Sequence, residues 1–265
     1  MKRAGAIVAF LSLPVYAQDH SAHQHADMPA MPGMETSAQE ASVPQAGSVL
    51  LAGMHGDSLN YLLLGERFEW LPDQDVQQWA AQGWYGSDLH KLWVKTEGHY
   101  NTSVETLERA ELQLLYSHAL APYWDLQAGV RMDTGDGPSR QYATVGVQGL
   151  APYWFELNLS GFLSDQGDLG ARVEADYDLR FTQRVFLQPR LELNYSASDD
   201  SAAGIGQGVT EAVLGLRLRY EIRREFAPYL GLEWGHNFGG TASLLERQGL
   251  ATSQTSWVAG LRFWY

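Results

Sequence analysis

With 265 residues, no cysteine, and 31 acidic against 18 basic side chains, the chain carries a formal net charge of -13. That balance excludes a nucleic-acid binder, whose partner demands clustered Lys and Arg, and the missing thiols exclude a disulfide framework or a thiolate metal site. Nowhere does the chain offer the roughly 20 consecutive apolar residues of a spanning helix, so a membrane location has to be reached by strands.

The chain opens on a basic pair, Lys2-Arg3, followed by an apolar stretch from Ala4 to Leu13 and then Val15-Tyr16-Ala17. Small residues at the positions a signal peptidase reads predict a signal peptide over residues 1–17. Residues 18–57, rich in Ala, Gln, Ser, Pro, His and Met, have too few large apolar side chains to offset the entropy of ordering, and are expected to form a disordered arm.

That arm carries the one constellation with recognisable coordination chemistry. His20, His23 and His25 are followed by Met28, Met31 and Met34, and a Met54-His55 pair sits just before the first strand. Imidazole suits copper, zinc and nickel, whereas thioether selects Cu(I), so the mixture points to a copper ion, as Cu(I), Cu(II) or both. Spacings of two to three residues in a pliable chain let several ligands wrap one ion. As a further hypothesis, cleavage after Ala17 gives Gln18 a free amine that, with two backbone amides and His20, makes a square-planar set for Cu(II) or Ni(II). A pyroglutamyl end in the mass spectrum of the mature protein would remove that site.

From residue 58 onward the texture changes to a period of two broken by turn residues, the pattern of strands with two unlike faces. Ala171, Val173, Ala175, Tyr177, Leu179 and Phe181 alternate with Arg172, Glu174, Asp176, Asp178 and Arg180. Leu214, Leu216, Leu218 and Tyr220 alternate with Gly215, Arg217 and Arg219. In the final segment Trp257, Ala259, Leu261, Phe263 and Tyr265 share one face. Alternation alone fits a soluble sandwich as well as a membrane barrel.

Three further features favour the barrel. Tight turns near Ala121-Pro122, Ala151-Pro152, Thr182-Gln183 and Ala227-Pro228 interleave with longer loops near 133–139, 164–168, 198–208 and 239–253, as on the two sides of an outer membrane. Aromatic residues gather at the turns, as in Pro122-Tyr123-Trp124 and Pro152-Tyr153-Trp154, like interfacial girdles. The last strand, with its terminal aromatic residue, resembles the signal by which bacterial barrels are recognised for insertion. The fold expected is therefore all-β, a transmembrane antiparallel barrel over residues 58–265. Segments at about 59–70, 89–100, 106–119, 123–133, 141–150, 153–163, 169–181, 184–196, 208–222, 228–238 and 254–265 number eleven. The even-strand rule adds 77–85, for twelve strands, with ten as the alternative.

The inward faces gather Lys95, Glu97, His99, Glu111, Asp125, Arg131, Glu156, Arg172, Glu174, Arg190, Glu192, Arg217, Arg219, Glu221, Glu233 and Arg262. Such mixed charges either pair and fill a small lumen or line a polar passage whose acids attract cations. An enzymatic reading finds little: His118 and His236 lie near strand ends, and Ser117 and Ser160 have no evident oriented base.

The chain is similar to the copper resistance protein B family of Gram-negative outer membranes. The likeness rests on the Met/His-rich arm, on the stretches Leu64 to Trp70, Gln82 to Asp88 and Leu92 to Gly98, and on the terminal strand. It implies copper tolerance without catalysis, by sequestering copper or passing it across the outer membrane, an outer-membrane lipid surround with the arm in the periplasm, and a periplasmic multicopper oxidase or copper chaperone as partner. Glu97, in the matching Lys-Thr-Glu-Gly stretch, with inward-facing Glu69 and His99, is the expected interior cation site. The alternative is a general porin or structural barrel with no metal role.

Overall fold

A computed structural model describes residues 59–265. Thirteen strand segments form one sheet: β1 (Asn60–Leu71), β2 (Val76–Gly86), β3 (His90–Asn101), β4 (Thr106–Ala121), β5 (Trp124–Gly135), β6 (Arg140–Ala151), β7 (Phe155–Ser164), β8 (Leu169–Asp176), β9 (Leu179–Arg180), β10 (Val185–Ser196), β11 (Gly208–Tyr220), β12 (Phe226–Asn237) and β13 (Ser253–Trp264). Each pairs antiparallel with its neighbours, and β1 pairs with both β2 and β13, so the sheet closes on itself. Closure satisfies every strand edge from within, which is what lets strands cross a bilayer.

The segments make twelve staves, because β8 and β9 face successive stretches of the same partner, β10. Their interruption has a local cause. Tyr177 N donates to Pro189 O, so the backbone edge of Pro189 is turned toward that stave. Proline has no N–H to return, and the ladder breaks opposite it. The expected twelfth strand at 77–85 is β2.

Inside and outside are inverted relative to a water-soluble domain. Leu112, Leu114, Leu214, Leu216, Leu218 and Leu230 are exposed on the outer wall, while Glu69, Glu111, Arg131, Arg172, Arg190, Arg217 and Arg219 are buried. Lipid covers the first set and the second fills the lumen. The chain therefore forms an outer-membrane type of barrel, as the alternation together with the turns, aromatic girdles and terminal strand implied.

At the proximal end, where β1 begins and β13 ends, the connections are short: 87–89, 122–123, 152–154, 181–184 and 221–225. Aromatic side chains crowd there, with Tyr61 near Tyr265 (6.3 Å between centroids), Phe155 stacked on Tyr177 (4.5 Å) and Tyr123 edge-on to Trp154 (6.4 Å). Tyr123, Tyr153 and Trp154 take positive φ of 70°, 67° and 67°, a rare state for bulky residues that these tight turns impose.

The distal end differs from expectation. Connections 72–75, 102–105, 136–139 and 165–168 are tight, and only 197–207 and 238–252 are long, the latter holding helix α1 (Gly239–Arg247). The Gly- and Asp-rich stretch around 133–139 looks like a loop, yet pairing continues to Gly135 on one side and resumes at Arg140 on the other. Ala227-Pro228 lies inside β12, and the turn falls earlier, at 221–225. The last β11–β12 pair is Arg219 with Tyr229, so Pro228 lies beyond it, where its missing N–H costs no β11–β12 ladder bond.

Candidate functional site

Alternation aims charged side chains inward from every part of the wall, and a crowded low-dielectric lumen forces them to pair. The central partner is Glu111 on β4. Its carboxylate receives Arg131 at 2.7 Å, Arg172 at 3.0 Å and Arg109 at 3.3 Å. Arg172, on β8, also donates to Glu97 on β3 at 2.7 Å and to Asn194 at 3.0 Å. Because β3 and β4 lie five and four staves from β8, this guanidinium crosses the lumen.

Around that crossing are clusters that run along the wall. Arg217 on β11 grips both oxygens of Glu69 on β1, at 2.6 and 3.0 Å, and also bonds Glu233 on β12. Arg190 on β10 reaches Glu174 at 2.6 Å and Asp176 at 3.2 Å. Lys91 pairs with Asp125 at 2.9 Å, and Lys95 donates to Gln127 at 3.0 Å and Gln148 at 2.7 Å.

The crossing divides the interior. A proximal cavity of about 620 Å³ is lined by Glu66, Lys95, Glu156 and Glu174, with Glu97, Glu111 and Arg172 as its floor. A distal cavity of about 230 Å³ holds Arg109 and Arg131 on its side of that layer. Above it the connection 197–207 is tied to β6, where Arg140 grips Asp200 at 2.9 and 3.1 Å, and to the second long connection, where Gly206 N donates to Thr241 Oγ1 of α1 at 2.9 Å.

Glu69 and His99 both pair with Gln78, in one row over β1, β2 and β3, and Glu97 lies two residues from His99 on the same face of β3. The three expected interior ligands thus share one wall. Both carboxylates already hold a guanidinium, so an incoming cation has to compete with Arg217 at Glu69 and with Arg172 at Glu97. Among the described residues no group of three or more His, Asp or Glu is arranged to hold a metal. His20, His23, His25, Met28, Met31, Met34, Met54 and His55 lie outside the described residues.

Two arginines of this site are missing from the inward charges expected from the sequence. Arg109 shares the inward face of β4 with Glu111, two residues on, which strict counting from Glu111 would have found. Arg67 is harder, because the register shifts between Gly65 and Phe68. This bulge turns both Glu66 and Arg67 to the proximal cavity, where Arg67 approaches Glu97 at 3.8 Å.

Residues 59–265 match the family model described as copper resistance protein B precursor (CopB). Copper resistance protein B of Escherichia coli is 43% identical over 214 residues, covering 80% of this chain and 72% of that protein. The copper resistance protein B homolog of Pseudomonas syringae pv. tomato (strain ATCC BAA-871 / DC3000) is 37% identical over the same shares. Among solved structures, the KdgM porin superposes with a TM-score of 0.46 at 12% identity, covering 76% of this chain and 98% of that chain. For the NanC porin the TM-score is 0.49 at 12% identity, covering 77% and 99%.

Proposed function

This chain belongs to the copper resistance protein B family, and on that footing we propose that it contributes to copper resistance by capturing copper on its Met/His arm, which leads in sequence into a barrel whose lumen is closed at rest. The arm ligands are His20, His23, His25, Met28, Met31, Met34, Met54 and His55, whose mixed imidazole and thioether donors suit copper in either oxidation state. In this reading the arm and the proximal end face the periplasm, where a multicopper oxidase or a copper chaperone exchanges the ion. Glu69, Glu97 and His99 form a second stop, with Glu97 at the floor of the proximal cavity, at which copper displaces a guanidinium from each carboxylate.

The observation that carries capture over free diffusion is the Arg172 crossing. A general porin needs a continuous aqueous path, whereas here Glu97, Arg172 and Glu111 meet in the middle of the lumen. The proposal includes no catalytic step. Ser117 is buried on the lumen side and its neighbour His118 is exposed on the outer wall, while the Ser160 hydroxyl donates to Asn158.

The test is a titration of the purified protein in detergent with Cu(I) and with Cu(II), beside a variant with the eight arm ligands replaced by Ala or Leu. Tight binding is expected to vanish with the arm ligands. Binding that survives moves the capture site into the lumen, and Glu69→Gln, Glu97→Gln and His99→Gln then identify it. No binding in either protein sinks the reading.

A further inference from the structure

The outer wall carries a second arrangement that neither the arm nor the lumen uses. His90 opens β3 and His118 lies near the end of β4, and the two are directly opposed in the ladder. Both side chains project outward, away from the charged interior, at the proximal girdle. Their rings stack with centroids 4.9 Å apart and planes 29° from parallel. The stacking turns the two Nδ1 atoms toward each other at 3.4 Å, and the Tyr116 hydroxyl lies 2.6 Å from Nδ1 of His90.

Proton counting makes this arrangement unusual. A neutral imidazole has one N–H and one lone pair, so two facing Nδ1 atoms share a single proton between them. The Tyr116 hydroxyl then competes for the same nitrogen, and three polar atoms converge on one point. A divalent cation can take a lone pair from each of them at once, which a single shared proton cannot. With metal–nitrogen bonds of about 2.0–2.1 Å, two nitrogens 3.4 Å apart subtend about 110° at the ion, the angle of a tetrahedral site.

The backbone beneath the pair is fixed. His90 N donates to Ser87 Oγ at 3.3 Å, Ser87 N donates to His90 O at 2.8 Å, and Ala119 N donates to Leu89 O at 3.0 Å. Donors held on paired strands and a tight turn lose little freedom when they bind.

We propose that His90 and His118 form an outward-facing site for one imidazole-preferring divalent cation, of the class of Cu(II), Zn(II) or Ni(II), with the Tyr116 oxygen beside it as a third donor. The ligand class follows from the donors, since imidazole selects late first-row ions over Mg(II) and Ca(II). Its position in the girdle puts the ion in the hydrated headgroup zone, reachable from water without entering the lumen. The site is independent of copper capture by the arm, because none of its donors lies in residues 18–57.

The test is equilibrium dialysis of the full-length protein in detergent against Zn(II) and Cu(II), counting ions bound per chain. Wild type is compared with His90→Gln, with the His90→Gln/His118→Gln double variant and with the arm-ligand variant. Heat-modifiable migration on gels confirms that each protein is folded, which is expected because the glutamines face lipid and leave the lumen pairs intact. Both histidine variants are expected to lose one ion per chain, and the arm-ligand variant to keep that ion. A double variant that binds as many ions as wild type overturns the site. The two proposals fail separately: an arm variant equal to wild type counts against capture by the arm, and leaves the histidine result to be read alone.

Discussion

Two glutamates, Glu69 and Glu111, are almost equally buried and both are held by arginine, yet they do different work. Glu69 on β1 is gripped by Arg217 on β11, three staves away across the β12–β13 seam. Glu111 on β4 is gripped by Arg172 on β8, from across the lumen, and by Arg131 on the next strand, β5. The first cluster follows the wall, so its chemistry is spent on holding neighbouring staves in place. The second crosses the lumen, which under the proposed function makes it the barrier to passage. Position in the barrel, more than the type of bond, separates a structural ion pair from a barrier.

The largest expected effect tests the wall cluster. Arg217→Ala leaves Glu69 and Glu233 facing each other without their shared cation, and loss of one member of a buried pair costs about 3–5 kcal/mol. The midpoint of urea unfolding in detergent should fall accordingly, with no gain in conductance. The comparison sharpens with the double variant Arg217→Met/Glu69→Leu, which removes both charges. Replacing a buried pair by apolar residues of similar volume is often neutral, so most of the lost stability should return.

Arg172→Ala is expected to cost less stability and change permeability more. Glu111 keeps Arg131 and Arg109, and Glu97 keeps Arg67 and Arg109 at 3.8 and 4.0 Å, so the loss is about 2 kcal/mol, the scale of a charge-assisted hydrogen bond. Removing the guanidinium joins the proximal and distal cavities, and conductance in planar bilayers should rise above the wild-type baseline. A variant as closed as wild type would show that the crossing is structural like the Arg217 cluster, and the contrast between the two would collapse.

Which side of each strand faces the lumen was legible in the sequence, because a period of two needs no knowledge of partners. Eleven staves followed from it, the twelfth from the even-strand rule, and the inward setting of Glu69, Glu97, Glu111 and Arg172 followed from the alternation too. Partner choice was not legible. The Arg172–Glu97 contact joins positions 75 residues apart, and alternation says which wall a side chain leaves but not how far it reaches. Arg67 was hidden by the bulge, where one extra residue reverses the parity of the count. The pairing of His90 with His118 needed the register of β3 on β4, which is itself shifted near the opposite end, between His99 and Tyr100. The copper-ligand assignment rests on residues 18–57, ahead of the first described strand, and follows from donor chemistry alone.

The smallest effect separates the barrier from the cap above it. Arg140 holds Asp200 with both nitrogens on one oxygen, and this tie folds the connection 197–207 over the distal mouth. The side chains keep only 10% and 17% of their exposure, but the tie fastens a loop and not two staves, and Asp200→Ala should cost about 1.5 kcal/mol, the low end for a charge-assisted hydrogen bond. Its signature is local. Amide exchange should quicken over 197–207 and around Gly206, whose N–H depends on Thr241 for a partner, while the strands keep their protection. If the Arg172 layer is the barrier, loosening this cap leaves conductance low, and only the combination Arg172→Ala/Asp200→Ala conducts more than Arg172→Ala alone. A rise in conductance from Asp200→Ala by itself would move the barrier to the distal mouth, and Arg172 would join Arg217 as a member of the wall.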